Sequence, residues 1–365
     1  MKKTVFCLAA FIFGQATVFG AAAGGMGLLA EYDSNVFGDY WGGGSLNANA
    51  YLTLGLDADL GLWGLAIGAD YTGDFSTYLQ YRDMGQSDHD LRLLLWGSAG
   101  KEGYLALGGG VEYGANGQGR LYYNNLFTYG ATEGKLYLWP AFLARFSAQL
   151  GSQKYPHFPK YDCDRFSGEF SASLFLPSRT SVSVGGQARR FGYSPGADSL
   201  KVPKTVHHFE PGVWLTQTLA NSLGLSVEYF GLINKVSTAS ALYTPDTLLI
   251  QVEDYSDYRG GAAGARLTAR IGKATATASA VYRFLDYTGL GAFELPPADT
   301  SSLASRRTTG ILRQDRVTSF KLETSLPLSP AVGAKAGLEY KDHWSNDPLF
   351  DYYRTILSLG LEYVF

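Results

Sequence analysis

The side chains best equipped for chemistry in this sequence are five histidines and the carboxylates beside some of them. Asp88-His89-Asp90 and Asp342-His343 set an imidazole next to an acid, and His157, His207 and His208 complete the set. An imidazole oriented by a carboxylate can take a proton from water, which is the start of hydrolytic chemistry. That chemistry needs the groups to converge on one substrate. All five fall in polar loops or at the ends of alternating segments, where a histidine is an ordinary polar residue. The two cysteines are Cys7 and Cys163, far apart and in different kinds of segment, so neither a disulfide framework nor a thiolate metal site is expected. No catalytic residue, no metal and no cofactor is assigned.

The remaining chemistry-bearing residues are charges at even spacing. Arg165 and Glu169, Arg266 and Arg270, Lys321 and Glu323, and Lys335 and Glu339 each lie two or four positions apart, and Arg145, Glu228 and Arg283 occupy comparable positions. Between them run apolar or small residues: Phe166, Gly168, Phe170, Ala172 and Leu174 in one segment, Phe320, Leu322 and Leu326 in another, Val332, Ala334, Ala336 and Leu338 in a third. A period of two is strand geometry, one face apolar and the other polar. Against hydrocarbon each charge would cost about 2–4 kcal/mol near the midplane, so the charged face is expected to point inward if these strands cross a membrane. Adding Asp70, Glu112 and Glu210 leaves acids and bases about balanced, which predicts no strong ion selectivity. Arg266, Arg270 and Arg283 on two neighbouring strands allow two readings, an anion-attracting wall or cross-strand pairing with acids.

Sixteen segments of this kind can be counted, joined alternately by long polar loops and short turns. The short turns carry turn residues: Pro177-Ser178-Arg179, Asn221-Ser222, Gly272-Lys273 and Leu328-Ser329-Pro330. Residues 235–257 and 288–314 are the longest connections. Pro140 leaves residues 121–150 open to reading as two strands or as one bent strand, and the second choice gives fourteen or so. Strands that run toward the long loops repeatedly end on tyrosine, at Tyr32, Tyr71, Tyr113, Tyr229, Tyr287 and Tyr340. Such placement suits a membrane interface, ring in the acyl boundary and hydroxyl among headgroups.

The two ends of the chain agree with this pattern. Met1-Lys2-Lys3 followed by a short apolar run and Ala21-Ala22-Ala23 reads as a signal peptide over residues 1–23, with the barrel over 24–365. No segment has the 18 or more consecutive apolar residues of a membrane helix. A chain with 45 Gly, 25 Tyr and 21 Phe has a mean hydropathy of only -0.06, because the two faces of each strand cancel. A net charge of -3 provides no polybasic footprint for nucleic acid. At the C-terminus Leu357, Leu359, Leu361, Tyr363 and Phe365 alternate to the last residue.

With that terminal strand the sequence resembles bacterial outer-membrane β-barrel proteins, porins among them. The resemblance implies an all-β, antiparallel up-and-down transmembrane barrel in the outer membrane, with short turns toward the periplasm. It also implies that Leu359, Leu361, Tyr363 and Phe365 are read by the barrel-assembly machinery, that the partners are outer-membrane lipid and that machinery, and that a homo-oligomer is allowed. The expected function is a channel for passive diffusion or transport of small polar solutes. A non-conducting scaffold or export-machine module is the alternative, since residues 31–37 resemble the opening of barrels from polysaccharide and surface-lipoprotein export, here without their tetratricopeptide repeats. Asp88, His89, Asp342 and His343 resemble the rim residues of omptin proteases, but the fourth and fifteenth strands are not neighbours, so no enzyme is expected.

Overall fold

The computed structural model describes residues 20–35, 44–60, 65–81, 85–117, 124–157, 159–193, 205–236, 257–293 and 308–365. They form sixteen strands: β1 (Gly20–Asp33), β2 (Ser45–Asp59), β3 (Leu65–Tyr78), β4 (Gln86–Ala99), β5 (Gly103–Asn116), β6 (Asn125–Trp139), β7 (Phe142–Lys154) and β8 (Cys163–Leu176). The second half comprises β9 (Thr180–Tyr193), β10 (Thr205–Ala220), β11 (Leu223–Val236), β12 (Tyr258–Ile271), β13 (Ala274–Phe293), β14 (Thr308–Pro327), β15 (Val332–Ser345) and β16 (Tyr352–Val364). Each pairs antiparallel with its sequence neighbours and β1 closes on β16, so the sheet is a closed barrel with no free edge. Pro140 sits in the turn between β6 and β7, which makes two strands there and fixes the number at sixteen.

Register assigns the faces, because cross-strand partners point to the same side. Leu28 pairs with Leu361 and Ala50, and Leu52 with Gly73, and the same parity runs round the ring. This outer face carries Leu28 at 70% exposure, Leu107 at 68% and Leu359 at 68%. A continuous apolar surface of this kind is incompatible with water and matches lipid hydrocarbon. Among the described residues no helix is long and apolar enough to span a membrane, and the strands do so instead.

Two details differ from the sequence reading. β13 and β14 extend well into residues 288–314, which the sequence reading assigns to a connection. Tyr287 faces inward: it pairs with Tyr258 and is 1% exposed, and the outward tyrosine of β13 is Tyr282, which shares the parity of the apolar belt. Tyr32, Tyr229 and Tyr340 do lie exposed on the outer face. Of the expected leader, residues 1–19 are outside the described residues; residues 20–23 pair with β2, and pairing with β16 begins at Gly25. At the turn side, Gly100 (φ 77°) and Gly272 (φ 62°) adopt the left-handed conformation that tight reversals need, and Arg179 (φ 60°) does so without being glycine.

Candidate functional site: the inner wall

The inner face begins with an acidic sector. Glu31 and Asp33 of β1, Asp57 and Asp59 of β2, and Asp70 and Asp74 of β3 all lie on the parity opposite to the apolar belt. Asp88 and Asp90 of β4, Glu112 of β5 and Glu133 of β6 continue it, with Arg92 and Lys135 as the described cations. These cations are engaged: Arg92 bridges Asp70 at 3.2 Å and Glu133 at 3.0 Å, and the Lys135 ammonium lies 5.0 Å from the Tyr137 ring centroid. Tyr104 donates to Glu133 at 3.2 Å and Tyr129 to Asp90 at 3.0 Å.

The sector facing it across the ring is richer in cations. Register puts Arg145 opposite Ser171, and Arg165 and Glu169 opposite Gly151 and Ser147, all on the inner parity. Glu228, Arg266 and Arg270 follow on β11 and β12, and Arg283 on β13. Lys321 and Glu323 on β14, and Lys335 and Glu339 on β15, complete the set picked out from sequence. Some are tied into the wall: Arg165 to Glu112 at 3.4 Å, Lys321 to Glu323 at 2.9 Å, Lys335 to Glu362 at 2.5 Å. Arg145, Arg266 and Arg270 make no ion pair among the described residues. Among the described residues the β12 arginines have no acid within ion-pair distance.

Arg266, Arg270 and Arg283 do not form one cluster. Arg270 is level with Thr275, Arg266 with Ser279, and Arg283 with Ala262, so consecutive arginines are four residues apart along the strands. At about 3.3 Å per residue each step is ~13 Å, giving a ladder along the wall. A hairpin turn places neighbouring strands side by side but leaves the height of each residue to its distance from the turn.

The acid–histidine dipeptides come apart for an equally simple reason. Adjacent strand residues point to opposite faces, so His89 is outward while Asp88 and Asp90 are inward, and His343 is inward while Asp342 is outward. His89 Nδ1 instead meets the Tyr71 hydroxyl at 2.9 Å, between the rings of Tyr71 and Tyr113. His343 Nε2 approaches Asp315 Oδ2 of the adjacent strand at 3.6 Å. The two motifs share no site.

Two constellations were not singled out from sequence. Arg313 grips Asp315 through Nε at 3.0 Å and Nη2 at 2.6 Å, and its guanidinium centre lies 3.6 Å from the Phe350 ring centroid and 4.9 Å from that of Tyr287. Asp315 also accepts from Ser345 at 2.7 Å and Tyr287 at 3.2 Å, and both partners of the ion pair are 1% exposed. The second links His208, Glu210 and Gln187 by short hydrogen bonds, with Tyr258 on His208 Nδ1 at 3.1 Å. Only the spacing of two in Arg313 and Asp315, and in His208 and Glu210, hinted at a shared face. Below the second group a recess of about 470 Å³ is lined by Tyr104, Glu133, Arg145, Glu169, Trp214 and Phe230 among others.

No family model and no curated protein matches the chain. Among solved structures it is similar to OccAB1 of Acinetobacter baumannii, with a TM-score of 0.55 and 10% identity over 96% of this chain and 98% of that one. It is similar to the anion-selective porin from Comamonas acidovorans, with a TM-score of 0.51 and 11% identity over 95% and 99%. It is also similar to the trimer form of OmpT, an outer membrane protein of Vibrio cholerae, with a TM-score of 0.51 and 12% identity over 95% and 100%. At these identities the likeness establishes the fold: a sixteen-stranded barrel of the bacterial outer-membrane type.

Proposed function

We propose that this chain is a porin-like channel through which small polar solutes cross the outer membrane passively. One observation carries the reading: the inner wall is divided into an acidic sector on β1–β6 and a sector opposite in which Arg145, Arg266 and Arg270 make no ion pair among the described residues. An aqueous path between walls of opposite sign, enclosed by low-dielectric lipid, carries a transverse field that orients dipolar solutes. Along the described inner wall acids outnumber bases, and the field arises from how the charges are distributed. Sixteen strands enclose more space than wall side chains fill.

The remaining roles belong to the same reading. Leu359, Leu361, Tyr363 and Phe365 form the outward edge of the closing strand and serve as the assembly signal, and the trimeric Vibrio cholerae barrel supports self-association. The test is single-channel recording of refolded protein in a planar bilayer, with reversal potential in a salt gradient. Discrete conductance steps are expected, and folded protein that passes no current would establish the scaffold alternative.

A further inference from the structure

On the lipid-facing side of β9–β14 the apolar belt ends in charge. Arg190 lies opposite His207, and His207 opposite Lys235. Arg259 sits opposite Ile233, one two-residue step from Lys235, and opposite Asp286 on its other side. Asp286 is taken by Arg316 at 2.8 Å. Phe209 and Ile233 mark the last apolar outward positions one step nearer the membrane centre on their strands. Across the strand spacing of about 4.8 Å, Arg190 to Arg259 on β9–β12 make a band ~14 Å long. Arg190, His207, Lys235 and Arg259 are exposed and make no ion pair among the described residues. Among the described residues nothing comparable occurs on the other side: β1–β5 end outward on Tyr32, Leu46, Thr77, Ser87 and Ala115.

We propose that this band is a docking site for the phosphate groups of outer-leaflet glycolipid, the lipopolysaccharide surrounding the barrel. The proposal rests on the outer-membrane reading and on the long connections facing outward. Guanidinium and ammonium groups at the end of an apolar belt meet lipid at headgroup depth, where phosphate is the anion within reach. A contact with a second protein copy would bury several uncompensated cations, which is unfavourable. A general need for headgroup solvation would put charges all round the ring instead of on one side.

The test titrates refolded full-length chain in detergent with rough lipopolysaccharide, with the same glycolipid after phosphatase treatment, and with inorganic phosphate. Against the triple variant Arg190→Gln, Lys235→Gln, Arg259→Gln, the native chain is expected to bind the phosphorylated glycolipid on the order of a hundredfold more tightly. Dephosphorylation should abolish the difference. Equal affinities of native and variant chains, or binding indifferent to dephosphorylation, overturns the proposal. Displacement by inorganic phosphate would make the band a free-anion site and also overturns it, as would a variant that loses only its oligomeric mass. Heat-modifiable migration reports folding; if the triple variant fails to fold, Lys235→Gln and Arg259→Gln singly are each expected to lose about fivefold, and no loss in either refutes the band. Bilayer current through the variant should be unchanged, since these side chains face away from the lumen. Absence of current in the native chain would refute the channel and leave the glycolipid result standing.

Discussion

Asp33 and Arg354 stand 321 residues apart and join across the barrel seam, Nε to Oδ1 at 2.9 Å with Nη2 on Oδ2. Asp33 is fully buried. At the other end of the same seam Gly24 and Phe365 exchange two backbone hydrogen bonds of 3.0 Å each. The first and last strands are therefore tied at both heights. Replacing Arg354 by Ala leaves a buried carboxylate without its main partner, and the expected loss is about 1–3 kcal/mol in a urea titration of the detergent-folded barrel. Asp33→Ala with Arg354→Ala together should cost less than the sum of the single losses. Strict additivity would show that the pair contributes nothing.

Removing Phe365 should impair assembly of the barrel and leave export across the inner membrane intact. Its ring lies over Gly24, where an added Cβ would come within 2.5 Å of it, and its stack on Tyr363 continues the outward edge of β16. Heat-modifiable protein in the outer-membrane fraction is the readout. Normal recovery of the shortened chain would rule out the signal.

Changing Arg266, Arg270 and Arg283 to Glu should move the reversal potential toward cations, and Asp57→Asn with Asp74→Asn should move it toward anions. Both shifts should shrink at 1 M salt, where the Debye length is about 3 Å. Unchanged selectivity in conducting variants would mean that neither sector meets the ion path.

Arg313→Leu should destabilise the barrel by about 3–5 kcal/mol, because it strands Asp315 in a dry site. Both groups are 1% exposed, and Phe350 stacks on the guanidinium, so water has no easy way to replace it. Arg313→Leu with Asp315→Leu should recover a large part of the loss. Urea unfolding followed by tryptophan fluorescence measures both, and a single variant of native stability would refute the buried-pair account.

Orientation is tested by tags on intact cells. A tag inserted between residues 237 and 256 should be accessible, and one in the turn at residues 177–179 should not, since short turns lie on the periplasmic side. The reverse labelling pattern would invert the barrel and place the basic band in the inner leaflet.

The alternation of Phe166 to Leu174, or of Leu357 to Phe365, is a local property: neighbouring side chains point to opposite faces whatever else the chain does. That is why strand number, outward faces and the inward position of Arg266 or Lys335 were legible from the sequence by itself. Height and company were not. The ladder of Arg266, Arg270 and Arg283, the inward turn of Tyr287, and the meeting of Arg313 with Phe350 depend on register across the whole sheet. The separation of acids on β1–β6 from the arginines opposite, and the pairing of Asp33 with Arg354, exist only because the sheet closes and brings its two ends together.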